Sequence, residues 1–141
     1  MNFQKYIPLA GRAFLSIIFL YAGVNHILGF QGTVEMMTKR SLPIPSLLLL
    51  GTIICCLGGG ASILLGFKVR LGAILLILFL IPATLVFHNP IGDPSQINSF
   101  LKNIALIGAA LLIYYFGSGP ISLDTSSSRS LEEDYSSKIH E

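Results

Sequence analysis

A chain of 141 residues has the length of one domain. Apolar residues make up 52% of it and charged residues 11%, against about a quarter charged in a soluble domain, which excludes a water-soluble globule. The net charge is +2 with no basic run, which excludes a nucleic-acid surface. The composition instead predicts an all-α integral membrane protein, a four-helix bundle.

The first apolar run has no convincing small-residue cleavage site near its end, so it is expected to be retained as a span over residues 9–28 rather than removed as a signal peptide. About 20 apolar residues cross a bilayer core. The stretch 33–40 mixes Val34, Met36 and Met37 with Glu35, Lys39 and Arg40. It reads equally as an interfacial helix or a solvated loop.

Pro43 and Pro45 introduce the second span, residues 46–67. Gly51, Cys55, Gly59, Ser62 and Gly66 recur along it every three or four residues, the spacing of one helix face. Small faces let helices pack closely in lipid. Cys55 and Cys56 are adjacent, form no metal or redox spacing, and read as small apolar fillers.

After the short Lys68-Val69-Arg70 turn, the third span covers residues 71–88 and ends at His88-Asn89-Pro90, with Pro82 placed to bend it. The fourth covers residues 100–116 and stops at Gly117-Ser118-Gly119-Pro120; Ala105, Gly108 and Ala109 are its small residues. The spans complete a domain over residues 1–123. Residues 124–141 are rich in Ser, Asp and Glu and are expected to be disordered.

Four spans put both termini on one side. Lys5, Arg12, Lys68, Arg70 and distal Arg129 lie there, against Lys39, Arg40 and Lys102 opposite. The excess of basic residues predicts cytoplasmic termini.

Polar residues at membrane depth are candidates for function. They are Arg12, Asn25, His26, His88, Lys102 and Asn103. At ~1.5 Å rise per residue, His26 stands roughly 21 Å from Arg12, His88 roughly 25 Å from Leu71, and Asn103 roughly 20 Å from Phe116. Three helices thus bring Asn25, His26, His88, Lys102 and Asn103 to one outer level. Two readings stay open. The residues mark span ends that reach water, or they line a shared outward pocket for a quinone headgroup or a small polar solute. Two histidines at one depth could also ligate haem, a weaker reading for want of other support. No metal-ligand set is present in the pattern.

The segments GRAFLSIIFLYAGVNHIL, RSLPIPSLLLLGTIICCLGGGASILLGFKVRLGAILL, FHNP, FLKNIALIGAALLI and ISLD, in this order and spacing, resemble the DoxX family of small four-helix membrane proteins. The resemblance singles out Arg12, Gly23, His26, Gly59, Gly60, Arg70, His88 and Asn103. One departure is Cys56, where the family often carries a glutamate. The resemblance implies a membrane partner or small-molecule-binding subunit, linked to quinone, redox or oxidative-stress processes. It leaves open a subunit of a thiosulfate:quinone oxidoreductase, and a small-solute transporter. Implied partners are the bilayer, a redox protein at the membrane, and further copies of the chain. Whether the chain is an enzyme is not decided by these residues.

Overall fold

The computed structural model describes residues 2–139. Six α-helices follow in chain order: α1 (Ile7–Leu28), α2 (Phe30–Lys39), α3 (Pro45–Leu65), α4 (Val69–Phe87), α5 (Ile97–Phe116) and α6 (Leu123–Ile139). Among the described residues four helical segments are long and apolar enough to cross a membrane: α3, α4 and the segments that contain α1 and α5. No strand occurs among the described residues, so this is an all-α membrane protein.

The helices pair in a row. α1 lies against α3, α3 against α4, and α4 against α5, whereas α1 and α5 do not pair closely. One apolar core joins all four spans through Leu15 and Phe19 of α1, Cys56 and Ile63 of α3, Leu76 and Leu80 of α4, and Ala110 of α5. A second, smaller core lies under α2, where Met37 packs with Leu49 and Ile53 of α3. That contact resolves residues 33–39 as part of an amphipathic helix, with Arg40 at its C-terminal cap.

Glycines set the close approaches. A Cβ on Gly23 would stand 2.6 Å from Leu57 Cδ2, and one on Gly60 3.1 Å from Leu20 Cδ2, so α1 and α3 meet where side chains are missing. Gly59 does the same towards α4, since its Cβ would stand 2.8 Å from Leu76 Cδ2 and 3.0 Å from the Gly72 carbonyl oxygen. The face that packs is therefore Cys56, Gly59, Gly60 and Ile63. Gly51, expected on it, has nothing within 4 Å, and neither has Gly108 of α5. A stripe of small residues marks where packing is sterically open, and its partner decides which part is used.

The end of the bundle carrying the N-terminus is tied together by Arg12 and Asp124. Arg12 is 2% exposed. Its Nη1 donates to the Ile63 carbonyl at 3.4 Å and its Nη2 to the Ile121 carbonyl. Asp124 accepts from the backbone N–H of Lys68 at 2.8 Å and of Val69 at 3.4 Å, capping α4. Lys68 sits at φ 48°, a left-handed conformation that costs a non-glycine residue energy, and this carboxylate helps hold it there. Arg70 of the same turn is exposed.

The segment expected to be disordered from residue 124 takes a different form: α6 is helical over Leu123–Ile139. Its start is fixed by Asp124 and by Thr125 Oγ1, which donates to the Gly119 carbonyl at 2.8 Å. Beyond that, none of its residues is buried. Local contacts such as Lys138–Asp134 at 2.7 Å accompany it. The composition argument captured the lack of a buried face; the capped start lies outside what composition reports.

Candidate functional site

α1 and α5 do not pair closely, and a cavity of about 190 Å³ is lined by residues of α1, α4 and α5. Its apolar wall comes from Ile18, Phe19 and Ala22 of α1, Phe79, Leu80 and Ala83 of α4, and Leu106 of α5. Its polar residues are His26, His88, Lys102 and Asn103. The four lie near the end of α1, just past the end of α4 and near the start of α5, so antiparallel packing places them at one end of the bundle.

Asn103 is buried, 6% exposed. Its Nδ2 donates to Thr84 Oγ1 at 3.0 Å, and the Thr84 hydroxyl donates to the Leu80 carbonyl at 2.6 Å. His88 caps α4, its backbone N–H donating to the Thr84 carbonyl at 3.1 Å. Its ring Nδ1 stands 2.9 Å from Gln96 Oε1. His26 and Lys102 make no side-chain hydrogen bond among the described residues; His26 is half-buried and Lys102 exposed.

The loop between α4 and α5 is shaped by its own side chains. Asn89 Oδ1 accepts from the Ile91 N–H at 3.0 Å, and Asp93 Oδ1 from the Ser95 N–H at 3.0 Å and hydroxyl at 2.6 Å. The Ser95 hydroxyl and N–H hold the Asp93 carboxyl below the usual carboxylate range. Pro94 then opens a 3₁₀ turn that runs into α5, so this helix begins at Ile97, ahead of the expected residue 100.

Of the five residues placed at one level, the structure brings His26, His88, Lys102 and Asn103 to one cavity. Asn25 is the exception. It is exposed and outside the cavity wall, because one step along a helix turns the side chain by about 100°. Thr84, Gln96 and Asp93 were not singled out. Thr84 precedes His88 by four residues and so shares its helix face, a signal that was available. Gln96 and Asp93 looked like ordinary loop residues.

The cavity can hold a ring-sized group. It is smaller than the roughly 300–1,000 Å³ of a drug-sized pocket. It offers two imidazoles, an amide and an ammonium over an apolar floor, a set suited to hydrogen bonding of a neutral or anionic polar head.

A family model for DoxX matches residues 7–89, which take in α1 to α4 and His88. Inner membrane protein YphA of Escherichia coli (strain K12) is 34% identical over 122 residues, covering 82% of this chain and 86% of that protein. Inner membrane protein YqjF of the same strain is 31% identical over 116 residues, covering 82% of this chain and 88% of that protein. No solved structure matches the chain.

Proposed function

Since the chain belongs to the DoxX family of inner-membrane proteins, we propose that it is a small-molecule-binding membrane subunit whose cavity takes the head group of a quinone-class lipid. The observation that carries this reading is the gathering of His26, His88, Lys102 and Asn103 around an apolar-walled cavity where α1 and α5 part. Polar groups at membrane depth are costly unless something uses them. A head group of ring size matches the volume. In this reading the protein binds and presents the quinone to a redox partner at the membrane.

Purification in native lipids followed by mass spectrometry tests the reading. Quinone is expected to accompany the wild-type chain at near-stoichiometric amount and to fall severalfold in an Asn103→Leu, His88→Ala double variant. Equal quinone in both preparations, or none in either, overturns it.

A further inference from the structure

The hydrogen bonds around the cavity determine whether its polar groups give or receive protons. Thr84 has one hydroxyl proton, and it goes to the Leu80 carbonyl. Its oxygen can then only accept, so the Asn103 atom 3.0 Å away must be the amide nitrogen. That leaves Asn103 Oδ1, which accepts no hydrogen bond among the described residues.

A parallel argument applies to His88. Gln96 Nε2 stands 3.5 Å from Asp93 Oδ2, and a carboxylate only accepts. The Gln96 amide is thereby turned with Oε1 towards His88 Nδ1, 2.9 Å away. A carbonyl oxygen has no proton to give, so Nδ1 carries it. In the neutral ring Nε2 is then a bare acceptor, because the bond made by one imidazole nitrogen fixes the role of the other.

We infer that the cavity is an acceptor site: His88 Nε2 and Asn103 Oδ1 together select a ring bearing hydroxyl groups, a hydroquinone over its oxidised quinone, with Gln96 as the positioning residue that sets this polarity. The inference rests on the proposed head-group binding and assigns the redox form. A quinone carbonyl placed against either atom would leave two acceptors facing each other. A phenolic hydroxyl satisfies one. Lys102 does not set the preference, because its ammonium can donate to the oxygen of a carbonyl and of a hydroxyl alike. His26 has no protein partner among the described residues and can turn either nitrogen to the ligand.

The test uses the full chain in nanodiscs with two probes, a short-chain ubiquinone and its hydroquinone. The hydroquinone is expected to bind about tenfold tighter, in line with the net worth of roughly one hydrogen bond. Gln96→Leu should bring the ratio close to one. Nitrogen-15 NMR should show the His88 ring protonated on Nδ1 in the wild type and in mixed form in Gln96→Leu. Equal affinities, tighter quinone binding, or a proton on Nε2 would each overturn the acceptor assignment while leaving head-group binding intact. A ratio unchanged in Gln96→Leu overturns the role of Gln96. Binding of neither probe overturns the proposed function, and this inference with it.

Discussion

Asn103 on α5 donates to Thr84 on α4 across 3.0 Å, inside a bundle where most interhelical contact is apolar. The Thr84 proton is already engaged by Leu80, so the pair has one possible polarity. Interhelical hydrogen bonds in membranes average about 0.6 kcal/mol and reach about 1.7. A double-mutant cycle of Asn103→Leu and Thr84→Val, read by unfolding in detergent, should give a coupling in that interval. A coupling near zero would show that the two side chains act independently.

Glycine substitutions should divide by what they meet. Gly59→Ala drives a Cβ to 3.0 Å from the Gly72 carbonyl, backbone that cannot step aside, and should cost about 1–3 kcal/mol. Gly108→Ala enters open space within a helix and should stabilise by about 0.5–1 kcal/mol. Thermal unfolding of the two variants side by side checks the contrast.

The height of each polar residue along its helix was legible in the sequence, because helix rise converts spacing into height. Height alone brought His26, His88, Lys102 and Asn103 together. Azimuth was not legible. Gly23 faces α3, His26 lines the cavity and Asn25 is exposed, and only the positions of α3 and α5 separate them. The same limit applies to Gly51, which shares the spacing of Gly59 but meets nothing. Long-range capping was equally hidden: Asp124 reaches Lys68 across 56 residues, a pairing that neither local sequence announces.

Truncation should therefore have a sharp boundary. Removing residues 126–141 deletes a segment in which no side chain up to Ile139 is buried, and should change stability by less than about 0.5 kcal/mol. Removing residues 124–141 also takes the Asp124 cap from Lys68 and Val69, and should cost about 0.5–2 kcal/mol. Equal melting curves for the two truncations would deny Asp124 its part in holding the α3–α4 turn.

The distribution of Lys and Arg predicts that both termini face the cytoplasm, which places the cavity towards the outer leaflet. A reporter fused after Glu141 should be active in its cytoplasmic form, and one inserted at Gly92 in its external form. The opposite pattern would put the cavity on the cytoplasmic side.

The most direct test of head-group binding fills the cavity without touching its polar groups. Ala83 lines the wall between Leu80 and His88 on α4. Titration of a short-chain hydroquinone into nanodiscs carrying the wild type or Ala83→Phe separates specific binding from partition into lipid. The account predicts saturable binding to the wild type, weakened at least tenfold in Ala83→Phe, with the folded fraction of the two proteins equal by circular dichroism. Saturable binding of the same strength in a folded Ala83→Phe protein would contradict it, as would binding to the wild type that rises only with lipid content.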